Sequence, residues 1–112
     1  MRIHTDHNGV AVNAIHQLAD GTVVEGYVYQ VLAGPNTTNL QFQMGLAKEN
    51  GINGLTNEAL LAVCEHRLKF LDAKFPCAEN KEAITAIARA MDVLQQRTLD
   101  RQARGVEGLN VA

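Results

Sequence analysis

Ile84, Ile87, Met91 and Leu94 follow one another at steps of three, four and three residues, and an α-helix sets such positions in a single row. The helix predicted around this row starts near Ala78 and runs to about Ala103. Upstream, Leu60, Cys64, Leu68 and Leu71 also step at helical spacing and predict a helix from about Asn57 to about Ala73. Thr56 would cap it, Glu58 would meet the positive end of its dipole, and Phe75-Pro76 would stop it. Two helices joined by about five residues make an antiparallel hairpin. The second outruns the first by about two turns, so its far end must pack on something else, and a second copy of the chain is the expected partner.

The first half carries a different period. Val10–Leu18 alternates loosely, an Asp20-Gly21 turn follows, and Thr22–Leu32 is rich in Val and Tyr at period two. Gly34-Pro35-Asn36 breaks that strand, and Asn39–Gln43 alternates again. These segments predict a three-stranded meander. Lys48–Leu55, with Gly51 and Gly54 among asparagines, reads as a loop. The expected fold is α+β: a small N-terminal antiparallel β-meander followed by a C-terminal antiparallel helical hairpin. Residues 1–112 are read as one domain, β-rich over 1–47 and a helical hairpin over 56–104.

A net charge of −2 gives no general attraction to nucleic acid, so an anion site must come from a local cluster of basic residues. No apolar run approaches the roughly 18 residues needed to span a bilayer, and nothing at the N-terminus reads as a signal peptide. Cys64 and Cys77 lack metal-type spacing, and free thiols in a reducing cytosol are expected. At 112 residues a monomer buries a modest share of its surface, so self-association would add core.

The local basic cluster lies where the second helix overruns its partner. The apolar row continues through Thr98 and Arg101, and Arg97, Arg101 and Arg104 stand at i, i+4 and i+7 on one stripe. A guanidinium holds phosphate bidentately and stacks on a base or ribose, which suits a nucleotide ligand. Asp100 and Glu107 stand close enough to pair with these arginines. The plainer account is a solvated basic face that complements the helix dipole. Asn80 has a similarly plain role as a first-turn residue bonding locally, and Phe70, on a flank with Val63 and Arg67, as core.

Other constellations are weaker. His4 and His7 lack acidic neighbours at ligand spacing, and Cys64 and His66, two apart on a helix, cannot face each other. No phosphate loop, dinucleotide fingerprint, nucleophile elbow or carboxylate pair occurs. No catalytic residue, metal or cofactor is expected. A nucleic-acid-binding module using the arginine stripe is the alternative from another class, opposed by the acidic net charge; an enzyme that degrades a signal is a third.

Asn50–Leu61, then Phe75-Pro76-Cys77-Ala78-Glu79-Asn80, then Arg97-Thr98-Leu99-Asp100-Arg101-Gln102-Ala103-Arg104-Gly105-Val106-Glu107-Gly108 resemble the helical hairpin shared by two phage signal sponges. These are the first-described Thoeris anti-defence type and the anti-CBASS cyclic-nucleotide sponge. The C-terminal run and the β-rich N-terminus look closer to the Thoeris type. The resemblance covers roughly residues 36 to 108, and departs at Ala78, where arginine is usual, and at Leu109-Asn110, where threonine-histidine is. It implies a non-catalytic sponge in the cytosol of an infected bacterium. Such a sponge sequesters the cyclic ADP-ribose isomer made by TIR-domain immune proteins. The ligand would lie between two protomers, held by residues that fall on Phe70, Asn80, Arg97 and Arg101. The resemblance also implies that homodimers can assemble into hexamers, as trimers of dimers, and can hold cyclic di- or trinucleotides at a separate site. It implies no membrane partner.

Overall fold

A computed structural model describes residues 1–45 and 47–103. The chain divides into two compact units, one ending at Leu55 and the other starting at Thr56.

The first unit is a four-stranded antiparallel sheet: β1 (Arg2–Thr5), β2 (Ala11–Gln17), β3 (Val23–Ala33) and β4 (Asn36–Gln41), ordered β1-β2-β3-β4. The meander therefore has four strands, not three. β1 pairs with β2 through Arg2↔Asn13 and Thr5↔Ala11. All four β1 residues are exposed, so this edge strand carries no apolar alternation to announce it. Asp6 closes the first turn, its Oδ1 accepting from Asn8 N at 2.8 Å and Val10 N at 3.0 Å. The expected Asp20-Gly21 turn forms, with Thr22 N donating to Asp20 Oδ1 at 2.9 Å.

β4 begins three residues earlier than the alternation suggests. Ala33 pairs with Asn36, leaving Gly34-Pro35 as a two-residue hairpin loop with Gly34 at φ +59°. A glycine at the first position supplies the positive φ that this tight turn requires. The core is small, with only Ala11 and Val24 fully buried among the described residues. Tyr29 and Phe42 pack edge to face, their centroids 5.7 Å apart. The segment read as a loop contains one helical turn, α1 (Ala47–Asn50), before Gly51 at φ +67° ends it. Leu55 then returns to the sheet edge: its N donates to Gln41 O at 2.8 Å, and its O accepts from Gln43 N at 3.0 Å.

The second unit is the helical hairpin of α2 (Asn57–Lys74) and α3 (Ala78–Ala103). Thr56 caps α2, its hydroxyl accepting from Ala59 N at 3.1 Å. The connection is three residues, Phe75-Pro76-Cys77, rather than about five. Asp72 braces it: its carboxylate accepts from Cys77 N at 3.1 Å and from Lys81 Nζ at 2.9 and 3.1 Å. These bonds hold the Asp72 carboxyl below the usual carboxylate range, the Lys81 hydrogen bond first and the Cys77 amide second.

On α3 the half-buried row runs Asn80, Ile84, Ile87, Met91, Leu94, Thr98, Arg101, alternating steps of four and three. On α2 it runs Glu58, Leu61, Glu65, Leu68, Asp72, with Leu60 and Leu71 beside it. Cys64 is exposed, contrary to the expected row. Two four-residue steps from Leu60 each rotate about 40° beyond a full turn, and the alternating row corrects this drift. No described residue of either helix is fully buried. Among the described residues, no helix is long and apolar enough to cross a membrane.

Candidate functional site

α3 has 26 residues against 18 in α2, so its last turns extend beyond the length that α2 can cover. From Arg89 into this part runs an open groove of about 510 Å³, lined by Arg89, Asp92, Val93, Gln96, Arg97, Asp100 and Arg101. Arg97 and Arg101 stand one turn apart in it. Arg97 is exposed; Arg101, last in the packed row, is half-buried, with its Nε shielded from solvent. Asp100 accepts from Gln96 Nε2 at 2.9 Å. Among the described residues Asp100 forms no ion pair with Arg97 or Arg101, and the expected pairings that involve Arg104 or Glu107 lie outside them. The groove thus holds three guanidiniums and two carboxylates and can grip a small anion at defined points.

Phe70 is elsewhere. It lines a second groove on α2 with Ala62, Val63, His66 and Arg67. It is 47% exposed, which departs from the plainer reading of Phe70 as core. Lys74 Nζ stands 4.8 Å from the ring centroid, over one face. Asn80 sits at the hairpin turn, where its Nδ2 donates to Phe75 O at 3.5 Å and its N to Cys77 Sγ at 3.4 Å. Arg104 lies outside the described residues.

One chain therefore brings Arg97 and Arg101 together but not all four expected contacts. Asn80 and Arg97 are 17 positions apart on one straight helix, about 26 Å at 1.5 Å per residue. The sequence reading passed over Arg89, Asp92 and Gln96 as groove residues and His66 beside Phe70. The available signal was their spacing: 89, 93, 96 and 100 repeat the three-four step two residues after the apolar row. No group of His, Cys, Asp and Glu among the described residues can hold a metal ion.

No protein-family model matches the chain. A curated relative does: "Thoeris anti-defense 1" of Bacillus phage SBSphiJ7 is 36% identical over an alignment of 116 positions. That alignment takes in 96% of this chain and 81% of the relative, so the likeness extends through the sheet as well as the hairpin. At this identity and coverage, the chain belongs to the Thoeris anti-defence 1 family.

Proposed function

We propose that this protein counters Thoeris immunity as a non-catalytic sponge, binding the cyclic ADP-ribose isomer made by a TIR-domain enzyme and withholding it from its effector. The observation that carries the reading is the pair Arg97 and Arg101 in one groove at the overrunning end of α3. Cyclic ADP-ribose isomers carry two phosphates, and two guanidiniums a turn apart match that charge bidentately. The open groove beside Phe70 offers a ring on which a base can stack, and Asn80 adds an amide. Because Asn80 and Arg97 are about 26 Å apart, one ligand meets all these groups only when two copies contribute them. Arg104 would extend the basic stripe. A sponge needs slow release, and burial between subunits strengthens each charge-assisted bond. Asp92 and Asp100 in the same groove disfavour a long polyanion, which argues against the nucleic-acid reading.

The test is calorimetric titration of wild type, Arg101→Ala and Arg101→Lys with the isomer purified from a TIR enzyme's reaction. Loss of one charge-assisted partner should cost about 2–4 kcal/mol. That is a loss of roughly 30- to 1000-fold in affinity. Lysine should rescue little, because an ammonium keeps the charge without the planar fork. Recovering the ligand chemically unchanged from heat-denatured complex checks the absence of catalysis. Adding cyclic di- or trinucleotide to the saturated protein separates one site from two. Wild-type affinity in Arg101→Ala would remove the assignment.

A further inference from the structure

Asn8, Asn50 and Asn53 each stand immediately before a glycine. Such a pair undergoes a reaction that needs no enzyme. The glycine nitrogen attacks the asparagine Cγ, Nδ2 leaves as ammonia, and a succinimide ring closes. Water then opens the ring at either carbonyl. The product is aspartate, or isoaspartate, in which the main chain runs on through the side-chain carbons. Glycine permits the attack because it has no Cβ to obstruct the approach and turns freely about its φ. The asparagine side chain must also be free to swing onto the following nitrogen. By sequence the three sites are alike, and the fold separates them.

Asn53 is held at every group the reaction must move. Its Oδ1 accepts from Met44 N at 2.9 Å, and its Nδ2 donates to Met44 O at 2.8 Å. Its own N donates to Gln43 Oε1 at 2.9 Å, and its carbonyl accepts from Gln41 Nε2 at 3.2 Å. Gly54 lies against main-chain atoms of Gln41 and Phe42, so its nitrogen cannot turn toward Asn53 Cγ. Asn50 ends α1, and its amide lies against Gly45. Gly51 N donates to Ala47 O at 2.9 Å, which aims the nitrogen back along the helix. Asn8 is different. It is exposed in the turn between β1 and β2, and among the described residues its side chain makes no hydrogen bond. Gly9, at φ +79°, has nothing within 4 Å of the place a Cβ would take. A single bond restrains the nucleophile, Gly9 N to Asp6 O at 3.1 Å.

We propose that Asn8 is a site of spontaneous deamidation in the folded protein, and that packing shields Asn50 and Asn53 from the same reaction. Isoaspartate puts an extra backbone atom between Asn8 N and Gly9 N. Asp6 Oδ1 accepts from both Asn8 N and Val10 N, and Asp6 N donates to Val10 O at 2.9 Å. A lengthened turn cannot satisfy all three bonds. The new carboxylate also stands near that of Asp6, and the like charges repel. Modification therefore loosens the β1–β2 turn, and with it β1, an edge strand held by β2 alone. The reaction concerns the first unit only and does not rest on the ligand reading.

The experiment incubates the full chain, folded and in urea, at mildly alkaline pH. Each asparagine is followed by peptide mass mapping, with isoaspartate resolved by chromatography. In the folded chain Asn8 should convert about tenfold or more faster than Asn50 or Asn53, because those two must first open locally. In urea the three rates should converge, which assigns the selection to the fold. Asn8→Gln should abolish the reaction at that position, since a longer side chain closes the larger ring slowly, and should leave Asn50 and Asn53 unchanged. Hydrogen exchange at the Val10 amide should be faster in the isoaspartate form than in fresh protein. Asn50 or Asn53 converting as fast as Asn8 in the folded chain overturns the proposal, as does an equal preference for Asn8 in urea. Unchanged exchange at Val10 overturns the loosening of the turn.

Discussion

Gly54 offers a sharp test of how the sheet unit closes. It is the residue before Leu55, and its backbone lies against β4's continuation: a Cβ built there falls 2.5 Å from Phe42 C, 2.6 Å from Phe42 O and 2.7 Å from Gln41 O. All three are main-chain atoms, so no flexible side chain can swing aside. Gly54→Ala must therefore push the segment off the sheet edge by roughly an ångström, close to ordinary contact distance. The two bonds at risk are Leu55 N to Gln41 O and Gln43 N to Leu55 O. At about 0.5–1.5 kcal/mol net each, their loss contributes about 1–3 kcal/mol. Residual crowding adds to that, and the expected total is about 2–4 kcal/mol. Gly51→Ala is the control. Its Cβ meets nothing within 4 Å, so the cost there is only that of φ +67°, about 1–2 kcal/mol. Native-state hydrogen exchange at the Leu55 and Gln43 amides, together with urea unfolding followed by circular dichroism, reads both effects. Gly54→Ala within about 0.5 kcal/mol of wild type, or costing less than Gly51→Ala, would refute the close-approach argument.

Two further outcomes follow from the hairpin. Asp72→Asn should lower the melting temperature at neutral pH, because Lys81 and the Cys77 amide favour the carboxylate form. The folded pKa lies below the ordinary carboxylate value. The stabilisation is therefore complete above that ordinary value and is lost as pH falls through the lowered one. Wild type and variant should converge in acid, and a difference that persists there would point to another cause. Thr56→Ala removes the acceptor for Ala59 N and should cost about 1 kcal/mol, whereas Thr56→Ser should be neutral within a few tenths. Thermal unfolding followed at 222 nm checks both.

The features legible in the sequence are those where one periodicity dominates. Ile84 to Leu94 marked α3 because each step returns to the same side, and Thr56 marked the start of α2 because a hydroxyl is what a first turn lacks. Cys64 misled because a thiol counts as apolar wherever it stands, while the true row includes Glu65, which reads as polar yet is half-buried beside Lys69. β1 was invisible because an exposed edge strand needs only backbone partners. α1 was invisible because a single turn has no period. At the candidate site, Arg97 and Arg101 were readable as a stripe. The distance of Asn80 from them was readable too, 17 positions along one predicted helix, but the place of Phe70 was not, since spacing within a helix says nothing of how far the other helix is displaced. Arg89, Asp92 and Gln96 escaped because polar groove residues leave no hydrophobic signature.

The strand order has a kinetic consequence. Every strand in β1-β2-β3-β4 pairs with its neighbour in sequence, and Leu55 closes onto residues only 12 to 14 positions upstream. All loops to be closed are short, so contact order is low and little chain entropy is lost before each new pairing is rewarded. Nothing in the first unit waits for residues beyond Leu55. It can therefore zip up vectorially as it leaves the ribosome, complete before the first turn of α2 has emerged. On this route the outer edge of β1 stays open while the growing edge advances from β2 to β4, where Leu55 is the last residue to pair.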